Sequence, residues 1–358
     1  MRKIKVLIID DSALARQSLQ KILLTDSKIE VTATASDPIF AAKKITHNPP
    51  DVSTLDLEMP RMNGLTFLEK LMKEFPVPVV VISSLSTEGS EMSLKALEYG
   101  AVDIIAKPQL ANREFYEESR IRICDAVKAA AIAKISPLYV KPFNKVEPKL
   151  SADSILLLKH ENVKIRETTD KVIVVGASTG GTNAIQTLLE NMPIDCPGIV
   201  IVQHMPEHFT KTFADRLNKV CRITVKEGID GDVVTSGKAI IAPGNKHTLI
   251  NLNGARYRIR VVEGPLVNRH RPSVDVLFRS AAKYAGTNAT GIILTGMGDD
   301  GAKGLLEMKN AGGYTIAQDE DSCIVFGMPK KAIELDAAAI TLPLERISEY
   351  TYNKVYSK

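Results

Sequence analysis

Two rhythms of short apolar runs alternating with helical patterns, separated by a stretch where the rhythm fails, constrain this chain more than any other feature. The first opens with Ile4-Lys5-Val6-Leu7-Ile8-Ile9, a run of buried-strand type, followed by a helical pattern over Ser12–Leu24. Further strands are expected at Val31–Ala35, Val52–Leu55, Val77–Ile82 and Val102–Ile105, with helical periodicity between them, as at Gly64–Phe75 and Glu91–Tyr99. Short apolar strands spaced by helices of this length predict a parallel sheet covered on both faces. From about Ala126 to Lys171 the pattern lapses. Pro137, Pro142 and Pro148 punctuate a segment rich in Lys, Ser and Glu, which reads as an exposed linker whose start could be helical. The rhythm resumes at Lys171-Val172-Ile173-Val174-Val175 and continues through Gly198–Val202, Ile223–Lys226, Ala239–Ala242, Gly291–Leu294 and Tyr314–Ala317. Between Ala239 and Val262 the strands crowd around Pro243-Gly244-Asn245 and Asn253-Gly254, which predicts an antiparallel hairpin appended to an otherwise α/β sheet. The expectation is two α/β domains, and a length of 358 residues suits two cores better than one.

Bulk properties exclude several classes. The chain is 44% hydrophobic and 25% charged, as soluble globular proteins are. No apolar run reaches the ~18 residues needed to span a bilayer, and Met-Arg-Lys-Ile-Lys leads straight into a strand pattern, so a cytoplasmic protein without membrane insertion is expected. The excess of 46 basic over 42 acidic residues is too mild to argue for nucleic acid. Cys124, Cys196, Cys221 and Cys323 are scattered without a C-x-x-C pair, so reduced, buried thiols are expected.

Chemistry-bearing residues gather at strand ends, where open α/β sheets place their ligands. Asp10 and Asp11 follow the first strand and Asp56 follows Val52–Leu55. Ser83 ends the next strand, and Lys107-Pro108 follows the last strand of the first half. Each alone reads as a helix cap or a surface ion pair. Three carboxylates converging on one edge repel one another unless a divalent cation lies among them, and hard oxygen donors in this number suit Mg²⁺. A hydroxyl and an ammonium nearby complete a site for a transferred phosphate.

In the second half, Gly176-Ala177-Ser178-Thr179-Gly180-Gly181 follows a strand and opens a helical stretch over Thr182–Asn191. This fits G-x-S-x-G at a strand-to-helix turn, where small neighbours allow the sharp bend that exposes the serine Oγ. A phosphate-gripping glycine loop is the rival, but neither G-x-G-x-x-G nor a P-loop lysine is present. The helix start offers free N–H groups for an oxyanion, that of Thr179 first. A nucleophilic serine needs an imidazole base, itself held by a carboxylate. His204 stands at the end of the strand Ile199–Val202, on the same sheet edge. His208 could suggest a zinc pair with it, but Pro206 interrupts the helix and the glutamate of H-E-x-x-H is missing. His247 and His270 fall near turns and read as surface or rim residues, and nothing around His47 or His160 suggests a role. The carboxylate is sought in Leu294-Thr295-Gly296-Met297-Gly298-Asp299-Asp300-Gly301, after another strand; residue physics alone does not separate Asp299 from Asp300.

Residues 1 to about 122 resemble the receiver domain of bacterial response regulators, a flavodoxin-like, doubly wound parallel sheet. The resemblance implies that Asp56 is the phosphoacceptor, that Asp10, Asp11 and Asp56 hold Mg²⁺, and that Ser83 and Lys107 contact the phosphoryl group. The cis-like Lys107-Pro108 dipeptide matches the family pattern. Ile104 departs from it, since many receivers carry an aromatic switch residue there. Residues 171–358, after a linker over 123–170, resemble the catalytic domain of the chemotaxis methylesterases, a second doubly wound, mostly parallel fold. The match runs through Gly-Ala-Ser-Thr-Gly-Gly, Gln-His-Met-Pro, Gly-Met-Gly-x-Asp-Gly and His270-Arg271-Pro272-Ser273-Val274-Asp275.

That resemblance implies Ser178 as nucleophile, His204 as base, Asp300 as orienting acid and the Met297 N–H in the oxyanion hole. The implied reaction is phosphorylation-activated hydrolysis of glutamate γ-methyl esters on chemoreceptor helices, giving sensory adaptation. Mg²⁺ would serve the receiver and no cofactor the esterase. A chemotaxis histidine kinase is the implied phosphodonor. Some family members also deamidate receptor glutamines by the same acyl chemistry. A DNA-binding output would need a helix-turn-helix, which the strand-rich second half lacks. A catalytically silent adaptor is the other alternative, and an intact Ser178, His204 and Asp300 argues against it.

Overall fold

The computed structural model describes residues 2–59, 63–84, 86–108, 113–135 and 170–356. The first domain runs β1 (Ile4–Ile9), α1 (Ala13–Leu23), β2 (Ile29–Ala35), α2 (Pro38–His47), β3 (Val52–Leu55), α3 (Gly64–Glu74), β4 (Val79–Ser83), α4 (Thr87–Glu98), β5 (Asp103–Ala106) and α5 (Arg113–Ala131). Its strands are all parallel in the order β2-β1-β3-β4-β5. The first helices start where side chains cap them. Ser12, Asp37 and Asn63 each accept a backbone N–H from the opening turn of α1, α2 and α3. Residues 123–131, counted with the linker whose start could be helical, are helical and packed. Helix α5 continues to Ala131 and buries Ile123, Cys124, Val127 and Ala130 in the first domain's core, so this stretch belongs to that domain. Pro137, Pro142, Pro148 and His160 lie outside the described residues.

The second domain runs β6 (Val172–Ala177), α6 (Gly181–Glu190), β7 (Gly198–Gln203), α7 (Phe209–Val220), β8 (Thr224–Glu227), β9 (Lys238–Ile241), β10 (His247–Asn253), β11 (Arg256–Val262), α8 (Val274–Tyr284), β12 (Ala289–Ile293), α9 (Ala302–Asn310), β13 (Tyr314–Gln318), α10 (Met328–Glu334), β14 (Ile340–Leu342) and α11 (Leu344–Tyr356). Seven parallel strands are ordered β14-β13-β12-β6-β7-β9-β8. Every residue of β6, β7 and β12 is buried, the signature of strands covered on both faces. The expected hairpin is a sheet of its own, β10 against β11, and is tied to α8 where the Ile250 N–H donates to Ser280 Oγ at 2.9 Å.

Chain direction reverses about β6, which pairs with β7 on one side and β12 on the other. That switch point opens a crevice at the strands' C-terminal ends. The loops after β6, β7 and β12, which carry Ser178, His204 and Asp300, meet there. All four cysteines are buried, and no helix among the described residues is long and apolar enough to cross a membrane.

Candidate active site

Ser178 is the first residue after β6, on a turn pinned by its neighbours. Its N–H donates to Thr295 O at 3.0 Å, and its own carbonyl accepts from the Gly181 N–H at 2.7 Å. Gln203 Nε2 donates to the same carbonyl at 2.9 Å and to His204 O at 3.2 Å. Thr295 Oγ1 donates to Thr179 O at 3.0 Å, while Gln318 Oε1 accepts the Thr295 N–H at 2.8 Å. Gly180 enters α6 at φ +77°, where a side chain would be strained and would also meet Ile324. Gly296 packs so closely that a Cβ would stand 2.7 Å from Ser178 Cβ.

His204 Nε2 lies 2.8 Å from Asp300 Oδ2, and the two side chains are 8% and 1% exposed. Asp300 sits at the start of α8, where Oδ2 accepts the Val274 N–H at 2.7 Å, and Oδ1 accepts from Ser273 Oγ and Asn268 Nδ2, both at 2.8 Å. Burial opposes ionisation, but the His204 hydrogen bond and charge, with Asn268, hold the Asp300 carboxyl well below the usual carboxylate range. An ionised carboxylate only accepts, so His204 donates from Nε2, and in its neutral form the lone pair lies on Nδ1. Nδ1 is buried with no hydrogen-bond partner. Ser178 lines the same cleft as His204, although no hydrogen bond joins the two side chains in this structure.

Two histidines read as rim residues are placed otherwise. The His270 ring stacks on His204 with centroids 3.7 Å apart and planes 7° from parallel. Burial, then the neighbouring His204, pushes the His270 imidazole well below its usual range. His247 is buried, with Nε2 2.8 Å from Pro265 O and Nδ1 facing the Ser273 N–H at 3.3 Å. Asn268, which no sequence signal marks, donates both to Asp300 and to Asp275 Oδ2, the latter at 2.6 Å. Asn268 and Arg269 take positive φ in a tight turn closed by Val267 and His270. Thr179 and Met297 also line the cleft. Asp299, left as an equal candidate by residue physics, lines it too, but Asp300 carries the bond to His204.

At the first domain's sheet edge, Asp10, Asp11 and Asp56 each offer a carboxylate oxygen within 4.8 Å of the others. Lys107 Nζ reaches Asp56 Oδ2 at 2.6 Å and Asp10 Oδ2 at 3.5 Å. Burial pushes the Asp10 carboxyl up; the Lys107 charge opposes this and Asp56 reinforces it. Asp10 Oδ2 is buried without a hydrogen-bond partner, so this donor set fits a hard divalent cation. Ser83 is engaged elsewhere, donating toward Gly89 O at 3.3 Å. Lys107-Pro108 is trans, contrary to the expected cis form; the only cis bond among the described residues is Arg271-Pro272. The trans form is the preferred X-Pro state, and Lys107 makes both its contacts from it.

The cleft at Ser178 is roofed by the first domain. Asp103 at the start of β5 accepts from Thr179 Oγ1 at 2.7 Å, and burial raises its carboxyl to about 6. Ile104, Ile105 and Ser119 line the same space. Elsewhere Arg216 of α7 pairs with Glu98 of α4 and donates to Leu94 O at 3.2 Å.

Residues 173–351 match the family model described as CheB methylesterase, and residues 6–117 match that of the response regulator receiver domain. A protein of Geobacter metallireducens named protein-glutamate methylesterase/protein-glutamine glutaminase 3 is 58% identical over 348 residues, covering 97% of this chain and 98% of its own. One of Oleidesulfovibrio alaskensis with the same activity name, numbered 2, is 58% identical over 343 residues, 96% of each chain. The crystal structure of the Thermotoga maritima CheB methylesterase catalytic domain superposes with a TM-score of 0.52 at 39% identity, covering 52% of this chain and all of its own.

Proposed function

Because this chain belongs to the CheB methylesterase family, with a response regulator receiver domain ahead of its catalytic domain, and is thereby a protein-glutamate methylesterase, we propose that it hydrolyses γ-glutamyl methyl esters on chemoreceptor helices by a Ser-His-Asp mechanism gated by phosphorylation of Asp56. The observation that carries the chemistry is the His204 ring, bound to Asp300 through one nitrogen and holding the other buried and unpartnered in the Ser178 cleft.

Nδ1 of His204 takes the Ser178 proton as Oγ adds to the ester carbonyl. The N–H groups of Thr179 and Met297 receive the negative charge that develops on the carbonyl oxygen. Nδ1 then gives its proton to methoxide, and methanol leaves an acyl-serine. Water attacks the acyl group with its proton drawn to the same nitrogen, which restores Ser178 and releases the glutamate carboxylate. Asp300 stays ionised throughout, holding the imidazole in the productive tautomer. A glutamine side chain would follow the same course with ammonia as leaving group, consistent with the second activity in the names of the relatives.

Control is read from the roof over the cleft. With the receiver in place the cleft encloses about 160 Å³, whereas a substrate helix with its side chains is ~10–12 Å across. The receiver therefore has to withdraw before a receptor can enter. Asp10, Asp11 and Asp56 would hold Mg²⁺, which would neutralise charge on the incoming phosphoryl group. Asp56 accepts that group from a chemotaxis histidine kinase, and Lys107, now paired with Asp56, is the contact that must rearrange. Ser83 reaches the phosphoryl group only by releasing the Gly89 carbonyl. Removing methyl groups in this way would reset receptors during sensory adaptation.

The test is methanol release from methylated receptor membranes with and without Mg²⁺ and a small phosphodonor, for wild type and Ser178→Ala. Release that rises with phosphodonor and vanishes in the variant is expected. Release indifferent to phosphodonor would remove the gate but leave the esterase. No release from wild type would leave only receptor binding.

A further inference from the structure

Two acids of the receiver face two basic groups of the catalytic domain at the cleft, beside Arg122 of α5, which lines it as well. Asp125 of α5 lies 3.3 Å from Arg269, and Glu118 of the same helix lies 3.7 Å from Arg271. Glu118 and Asp125 are two helical turns apart, so one face of α5 presents two carboxylates roughly 10 Å apart along its axis. A helix with spaced acids thus already spans the cleft, with both arginines supplied by the catalytic side.

Arg271 is positioned by its own domain. Arg271 donates to Gly264 O at 2.7 Å and to Asn245 Oδ1 at 2.8 and 3.0 Å, contacts that do not involve the receiver. Arg269 sits in the positive-φ turn whose Asn268 is bonded to Asp300. The loop that sets the catalytic carboxylate therefore also carries both arginines at the rim. When the receiver withdraws, Arg271 keeps these contacts and both arginines lose their acidic partners.

We infer that Arg269 and Arg271 are specificity-determining residues that dock acidic side chains flanking the esterified glutamate on a helical substrate, and that α5 covers the cleft in that helix's place. The inference rests on the esterase reading of the Ser178 cleft. The selective group is a guanidinium pair, which suits carboxylates by charge and geometry. Partly exposed ion pairs are individually weak, so the preference is expected to be modest and sensitive to salt.

The experiment uses the full chain activated by Mg²⁺ and phosphodonor. Substrates are three synthetic helical peptides with one central glutamate γ-methyl ester, flanked one and two turns away by Glu, by Gln or by Lys. Methanol release gives kcat/KM for each. Wild type should favour the Glu-flanked over the Gln-flanked peptide by roughly threefold to tenfold at low salt, with Lys-flanked the poorest. Arg269→Glu, alone and with Arg271→Glu, should invert that order, a gain on the Lys-flanked peptide that misfolding cannot produce. Equal rates on all three peptides with wild type, or a variant that slows all three by one factor, overturns the inference while the esterase stands. Hydrolysis of none of them by wild type overturns the esterase reading and the inference together.

Discussion

Asn268 joins two carboxylates, Asp275 and Asp300, that would otherwise face each other across a buried gap. Burial and the Asp300 charge already push the Asp275 carboxyl up. Replacing Asn268 with Ala leaves both acids short of a donor, which costs about 1–3 kcal/mol of stability. The activated turnover rate should fall about tenfold as Asp300 loses its hold on His204, measured as kcat beside a thermal melt. Asp103 makes a second prediction, of pH dependence. Its carboxyl is raised to about 6 when docked and returns toward the ordinary ~3.9 when the receiver leaves. The docked state therefore binds the proton more tightly. Docking is favoured below pH ~4 and weakens as pH rises through about 6. Unphosphorylated activity should climb more steeply between about pH 4 and 6 in wild type than in Asp103→Asn, whose neutral amide keeps the Thr179 contact. Superimposable profiles would refute the role of Asp103. Neither Asn268 nor Asp103 was legible in the sequence. An asparagine in a polar loop and an aspartate before a strand gain meaning only from residues far along the chain. Ser178 and His204 stood out because strand ends and glycines mark them locally, whereas local signals left Asp300 level with Asp299 and only the family resemblance chose between them.

Most parallel strands were legible as elements because they are largely apolar runs, and their ends fell within a few residues of those expected; β14, only three residues long, was not expected. Strand β10 and its partner β11 were expected on the sheet and lie apart from it, since a hairpin pattern carries no information on what it packs against. Helix α5 runs into the stretch counted with the linker, whose start was expected to be helical at most, because Ile123, Val127 and Ala130 are buried in the first domain's core. The turn after β12 carries a prediction of its own. Gly296→Ala would drive a methyl group into the space of Ser178 Cβ. A shift of even part of an ångström in a nucleophile lowers rates steeply, so kcat should drop on the order of 10²-fold. Folding, followed by circular dichroism, should survive.

Across the whole molecule, two α/β units share a buried apolar cluster that runs from Leu94, Leu97 and Ile104 into Ile185 and Leu217. Polar fastenings sit beside it, among them Arg216 with Glu98 and the Lys134 N–H on Ile324 O at 3.0 Å. Arg216→Ala loosens this face without touching the cleft. Unphosphorylated activity should rise about threefold, and the fully phosphorylated rate should stay put; a fall in both would mark Arg216 as a folding residue. Two α/β domains were legible from the broken rhythm of apolar runs. Their docking was not, because it rests on side chains that read as ordinary surface.

One short strand reaches both chemistries. Lys107, just past the end of β5, holds Asp56, while Asp103, at its start, holds Thr179. These four strand residues span only ~13 Å. Coupling through such a lever runs in both directions with the same free energy. If a phosphoryl group at one end unseats the roof, then a receptor that has already displaced the roof makes Asp56 a better acceptor. Heavily methylated receptors would thus recruit their own eraser into its charged form, and adaptation would be driven partly by the supply of substrate as well as by the kinase.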